Sequence, residues 1–202
     1  MARRRDLAEV LDTASALLAE EGLDGLTLRA IARRMDAHLN SVSFQVKTKG
    51  RLLELLSDRM LADVRLDGLP AAPRARASEI AARYRRVLLS RRDGARLMAG
   101  TSAIEQHTLA IGEALIGALL DGGADPVTAT RTFWSMSYLI LGAVQEEQGA
   151  DPSAGERLEA ALAAGSFPVL TRVEGSLVDD SFDARFTFAM DALLDAAGLS
   201  VA

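Results

Sequence analysis

Apolar residues recur along this chain at spacings of three and four, and nowhere do they alternate for long with polar ones. That periodicity predicts an all-α protein. A first helix is expected from about Asp6 to Glu20, with Leu7, Val10, Leu11, Ala14, Leu17 and Leu18 on its core stripe and Gly22 ending it. Asp6 and Glu9 have capping-box spacing at its start. Thr27 is placed to N-cap a second, short helix that carries Leu28, Ile31, Ala32 and Met35. Asp36-Ala37-His38 breaks the pattern, and a third helix from about Leu39 to Gln45 brings Val42 and Val46 back to the same core. A fourth helix, from about Gly50 to Arg65, is amphipathic through Leu52, Leu53, Leu56 and Met60. Pro70 and Pro73 mark a loop from Leu66 to Arg76. Helices then follow near Ala77 to Ser90, Ile104 to Leu120, Pro126 to Gln148, Glu156 to Ala164 and Asp180 to Ala197, with a further helical turn near Phe167 to Val173. The breaks between them fall at Arg92-Asp93-Gly94, Asp121-Gly122-Gly123 and Gly149 to Gly155.

The stretch from Leu26 to Leu56 supports two readings. In one it is an ordinary helical hairpin with a wet polar face. In the other the third helix enters the major groove of DNA, where base edges display donors and acceptors. Asn40, Ser41, Ser43, Phe44 and Gln45 fill the face that the core does not use, and suit the second reading. So do the cations around them: Arg29, Arg33 and Arg34 before the turn, Lys47 and Lys49 after the third helix. Cations so placed can hold phosphates on both sides of a groove while the middle helix reads bases.

Charge sharpens the choice. The chain carries a net −5, yet residues 1–51 hold nine Lys or Arg against seven Asp or Glu, and the remainder holds fourteen against twenty-one. A basic end on an acidic body fits a DNA surface carried by a larger partner-binding domain. The clusters Arg3-Arg4-Arg5 and Lys47-Thr48-Lys49 say more than the sum. With no cysteine and only His38 and His107 as histidines, a disulfide, a thiolate metal site and a histidine-rich metal centre are all excluded. Acidic residues interrupt the N-terminal segment, so no signal peptide is expected, and Met136 to Val144 is too short to span a bilayer. A cytoplasmic location and no membrane contact are the expectation.

Catalytic chemistry is not expected. There is no Gly-rich phosphate loop and no Gly-x-Ser-x-Gly elbow; Glu146 and Glu147 are adjacent and so point to different faces of a helix. His107 has no Asp at a useful spacing and is expected to be solvated. A helical small-molecule-binding protein or enzyme that never reads DNA is the alternative; salt-dependent DNA binding separates the two. Two long segments carry more apolar surface than one core needs: Phe133-Trp134 through Leu141, and the last helix with Phe182, Phe186, Met190 and Leu193 on one stripe and Phe188 and Ala192 on another. A second copy of the chain, or the short helices near Leu158 and Phe167, would cover the surplus.

The segments ASALLAEEGLDGLTLRAIARRM and SVSFQVKTKGRLLELL resemble the TetR family of bacterial transcriptional regulators, over about Leu7 to Met60. Phe44-Gln45-Val46-Lys47-Thr48-Lys49 matches the family's passage into helix four. SRRDGARLMAGT and LILGAVQEEQ further resemble the ligand-binding domain of the tetracycline repressor subgroup. The resemblance implies nine or ten helices, a homodimer joined by its last long helices, and a repressor released from operator DNA by a small-molecule effector. It divides the chain into a DNA-binding unit over 1–49, a connecting helix over 50–66, and a ligand-binding and dimerisation domain over 67–202. DNA contacts are expected from Thr27, Arg29, Asn40, Ser41, Ser43, Phe44, Gln45 and Lys49. An effector pocket is expected from Arg65, Tyr84, Met98, Thr101, Trp134 and Tyr138, whose aromatic walls suit a planar natural product or drug. No cofactor is expected.

Departures bear on specificity. Asp36 stands where the family's turn carries glycine, Leu39 where many members have proline, and Ser43 where they have tyrosine. Met98 stands where the subgroup has a metal-ligating histidine, and Ser102-Ala103 replaces an Arg-Pro pair, while Thr101 matches. A thioether is a poor ligand for magnesium, so a magnesium–tetracycline chelate is not the expected effector.

Overall fold

A computed structural model of the chain describes residues 6–102, 104–179 and 181–199; Arg3-Arg4-Arg5 and Ala103 lie outside them. Asp6 opens the first helix as its cap, its carboxylate accepting the Glu9 N–H at 2.8 Å. This helix, α1 (Leu7–Gly25), buries Val10, Ala14, Leu17 and Leu18. Gly22, at φ 76°, breaks its regular course where expected and leaves one further turn. Then come α2 (Leu28–Arg34), α3 (Leu39–Val46) and α4 (Lys49–Leu61). The body holds α5 (Pro73–Leu89), α6 (Gly94–Ala99), α7 (Gln106–Asp121), α8 (Pro126–Gln148), α9 (Ala154–Ala163), α10 (Pro168–Thr171), α11 (Glu174–Asp179) and α12 (Phe182–Ala196). These twelve helices, with no strand among the described residues, bear out the all-α expectation. The excess over nine or ten lies in short pieces: α6, α10 and α11.

Boundaries moved for local reasons. The α4 helix stops at Leu61 rather than Arg65, because the chain tightens: Asp63 and Val64 donate to Met60 and Leu61 three residues back. By contrast α5 begins at Pro73 itself, four residues early, since proline suits a first helical turn whose N–H groups lack partners anyway. The expected break at Arg92-Asp93-Gly94 is the start of α6. Gly94 is required there, because a Cβ would run into the Leu88 carbonyl.

One continuous apolar core runs from α1 through α4 into the body. Leu52, Leu56 and Met60 of α4 are buried in it, and α4 packs on α1, α5, α6 and α7. Only residues 47–48 separate α3 from α4, while residues 62–72 connect α4 to α5. At the centre α8 packs on α5, α6, α7 and α12 through Ala129, Thr132, Met136, Ile140 and Val144. Arg85 of α5 fastens this centre by pairing with Glu147 of α8 and Asp183 of α12, both at 2.5 Å. The short helices α10 and α11 each pack on α9. They leave the outer faces of α8 and α12 open, with Trp134, Tyr138 and Phe188 exposed. No described helix is long and apolar enough to cross a membrane.

Candidate nucleic-acid interface and effector pocket

The N-terminal unit builds a helix–turn–helix from ordinary backbone chemistry. Thr27 caps α2, its Oγ1 accepting the Ala30 N–H at 3.0 Å. The turn that follows closes the end of α2 with two bonds: Asp36 N–H to Arg33 O at 3.2 Å and Ala37 N–H to Ala32 O at 2.9 Å. That pair needs a left-handed residue between them, and Asp36 takes it at φ 45°. Asp tolerates this region better than most non-glycine residues, so the turn survives the missing glycine.

Val42 and Val46 are fully buried and pin α3 to the core. The opposite side of α3 is left to solvent: Asn40, Ser41 and Phe44 are exposed, Ser43 and Gln45 half-buried, and Phe44 is 68% exposed. Thr27, Arg29, Lys47 and Lys49 surround this face and are exposed. Arg34 is engaged in a two-point ion pair with Glu20, one arm at 2.6 Å, which lowers the Glu20 carboxyl below its usual range through that hydrogen bond. Lys47 joins α3 to α4 at φ 60°, ψ −58°, and the Thr48 N–H closes a bond to Val46 O at 2.6 Å. This γ-turn is strained, and the Thr48 hydroxyl then caps α4 by accepting the Arg51 N–H at 3.0 Å. The exposed helix is therefore coupled to α4 with no slack.

The residues expected for the effector pocket divide into two groups. Tyr84 on α5 and Met98 on α6 are buried, and burial pushes the Tyr84 phenol up to about 12. Thr101, just after α6, donates to Met98 O at 3.0 Å and lies 3.4 Å from Ser57 Oγ on α4, so the end of α6 touches the connecting helix. The other three do not join them in the single chain. Arg65 turns to solvent, held by Asp67 at 2.9 and 3.0 Å. Trp134 and Tyr138 stack on each other, 5.9 Å between centroids, on the α8 face opposite its buried stripe. Among the described residues, no group of His, Cys, Asp and Glu could hold a metal ion.

His107 corrects the expectation of a solvated residue without an acid. Its Nδ1 lies 2.8 Å from Asp58 Oδ2, across 49 positions of chain. Asp58, on α4, also accepts the N–H groups of His107 and Thr108 at 2.9 and 2.8 Å, and the Thr108 hydroxyl at 3.0 Å. Burial opposes its charge, but these bonds win and hold the carboxyl below the usual aspartate range. Asp93 was also missed by sequence reasoning. It accepts the Leu23 N–H at 2.8 Å and so ties the end of α1 to the start of α6. Neither contact leaves a trace in local spacing; only the acid at a helix start hinted at Asp93.

A helical body that carries a helix–turn–helix with an exposed polar and aromatic reading face is a DNA-binding transcriptional regulator. Residues 69–201 match the family described as tetracyclin repressor-like, C-terminal domain. The tetracycline repressor protein class A from transposon 1721 of Escherichia coli is 32% identical over 191 residues, which is 92% of this chain and 87% of that protein. A solved structure of a possible TetR family transcriptional regulator from Streptomyces coelicolor A3(2) is 33% identical, with TM-score 0.81 over 95% of this chain and 98% of that one. The minocycline complex of a TetR variant from Acinetobacter baumannii AYE is 30% identical, with TM-score 0.71 over 95% and 96%. The chain belongs to the TetR family of transcriptional regulators.

Proposed function

We propose that the protein is a homodimeric repressor that binds a roughly palindromic operator and leaves it when a small molecule binds the body. The observation that carries this is the α3 surface: an exposed Phe44 flanked by Asn40, Ser41, Ser43 and Gln45, fixed by a left-handed cap before it and a strained turn after it. In this reading Asn40 and Gln45 meet base edges and Phe44 packs on a thymine methyl or a sugar. Thr27, Ser43 and Lys49 hold phosphates, Arg29 serves a phosphate or a guanine, and Ser41 faces the DNA beside them. Residues 1–49 form the reading head, 50–66 the connection and 67–202 the ligand-binding and dimerisation part. The outward Trp134, Tyr138 and Phe188 supply the dimer face, so the two aromatic residues of α8 meet an effector only if it reaches that interface.

The effector in this reading is a planar, partly aromatic molecule bound near Tyr84, Met98 and Thr101. A relative was solved with minocycline, but Met98 offers a thioether where magnesium needs oxygen or imidazole, so the chelate is not proposed. Ligand acts by preferring one head spacing over another, and operator must then weaken ligand binding by the same factor. Replacing Gln45 with Ala costs about 1–3 kcal/mol on the operator and relaxes specificity at one position, while Lys49→Ala weakens all sequences alike and lowers the salt slope by about 1. Anisotropy titrations at several salt concentrations check both. Screening planar compounds by thermal shift and operator release identifies the effector; a compound that stabilises the protein yet leaves operator affinity unchanged is not it.

A further inference from the structure

A cleft of about 540 Å³ opens between the head and the body. One wall is α1, with Ser15, Ala16 and Ala19; the other is α4 and the turn from α5 into α6. Its floor is apolar, from Leu18, Leu56, Met60 and Leu97. A second depression of about 290 Å³, lined by Asp63 and Arg65 just after α4 and by Arg83, Arg86, Val87 and Ser90 at the end of α5, adjoins the first and shares Asp63 and Ser90 with it. Six arginines line them: Arg59, Arg91 and Arg92 in the cleft, Arg65, Arg83 and Arg86 in the trough. Asp63 is the one acid among the described residues that line either. Five of the six pair with carboxylates, Arg59 with Asp12, Arg65 with Asp67, Arg91 with Asp63, and Arg83 and Arg86 with the single Glu79, so six cations meet four acids and a modest positive excess remains.

The arginines are held, but not all by full charge. Arg91 pairs with Asp63 at 2.5 Å and Arg59 pairs with Asp12. Arg92 donates to the neutral Glu20 carbonyl at 2.5 Å. Arg86 shares the Glu79 carboxylate with Arg83 and takes the poorer position, 3.4 Å against 2.7 Å. Arg86 and Arg91 remain 64% and 50% exposed, so their guanidinium groups are accessible to an anion. Arginine's planar fork suits carboxylate, sulfonate or phosphate oxygens.

We propose that the cleft and trough form a binding site for small amphipathic anions, with an apolar body over the Leu18–Leu56–Met60–Leu97 floor and an anionic head among the arginines. The site is separate from the Tyr84–Met98–Thr101 region. Because one wall belongs to the head and the other to the body, a ligand here also shifts operator affinity, a consequence that rests on the repressor reading; binding itself does not.

The test is a fluorescence titration of the intact protein, without DNA, using anilinonaphthalene sulfonate as the probe. Wild type binds it saturably, decanoate displaces it, and the uncharged 1-decanol displaces it poorly. The double variant Arg86→Gln/Arg91→Gln loses affinity by about tenfold or more. Arg157→Gln/Arg172→Gln, which removes equal charge from the exposed α9–α11 region, leaves affinity unchanged. Circular dichroism confirms that both doubles are folded. Equal loss in the two doubles, no loss in the first, or equal displacement by decanol and decanoate overturns the site. Displacement of the probe by a scrambled DNA duplex overturns it too, by making the trough a groove for phosphate backbone. If the site stands while operator affinity ignores decanoate, the binding proposal survives and only its regulatory consequence fails.

Discussion

The Asp58 carboxylate does for α7 what a residue at its own N-cap would normally do. Glu105 occupies that cap position without a side-chain cap bond, and Asp58 reaches across from α4 to the N–H groups of His107 and Thr108. Removing it strands two donors and the His107 ring. Asp58→Ala therefore costs about 1–3 kcal/mol near neutral pH. Its folded pKa is depressed, so this contribution is present above the ordinary aspartate value of 3.8 and is lost as pH falls through the folded value. Urea melts of wild type and variant at about pH 7 and about pH 3 should show the gap closing on acidification; a gap of constant size would show that the carboxylate is not what matters. Thr27 and Asp36 were legible in the sequence because a cap and a left-handed turn are settled within five residues. Asp58 and His107 were not, because their meeting depends on how α4 packs on α7.

Elements were legible where their ends carry their own chemistry. Pro126 opens α8 and Gly149 closes it, as those two residues predict, and the Asp125 side chain caps it by accepting the Val127 and Thr128 N–H groups. The Asp93-Gly94 pair misleads because it serves equally as a break and as the start of a short helix. Its position matters to the link between head and body. Asp93 is held below the usual aspartate range first by the Leu23 N–H, with Arg96 adding to it. Gly22 makes room: at φ 76°, its Cβ would come within 2.8 Å of Asp93 Oδ2. Gly22→Ala thus combines left-handed strain with displacement of Asp93, at a cost of about 1–3 kcal/mol. Hydrogen exchange of the amides from Leu23 to Leu26 should accelerate in Gly22→Ala and in Asp93→Ala alike. Unchanged exchange in both would mean that this contact does not hold the end of α1.

At the scale of the molecule, the surplus apolar surface noted in the sequence is where the fold leaves it, on the outer faces of α8 and α12. Trp134 is 51% and Phe188 79% exposed in the single chain. Trp134→Glu with Phe188→Glu should yield a monomer by sedimentation velocity with its helicity retained, since neither side chain is in the monomer core; a persistent dimer would place the interface elsewhere. The pocket was the least legible feature. A lone chain buries Tyr84 and Met98 and leaves Arg65, Trp134 and Tyr138 outside, so spacing along helices could not say which aromatic residues share a cavity. The head was the most legible, because its cap, turn and exposed face are all local.

Sequence-specific reading by α3 can be measured on DNA selected from a random library by the purified protein. The expected product is a pseudo-palindrome whose half-sites lie about one helical turn apart, bound far more tightly than its scrambled version, with discrimination at one position of each half-site reduced in Gln45→Ala. Equal affinity for selected and scrambled duplexes, in wild type and variant alike, would contradict it.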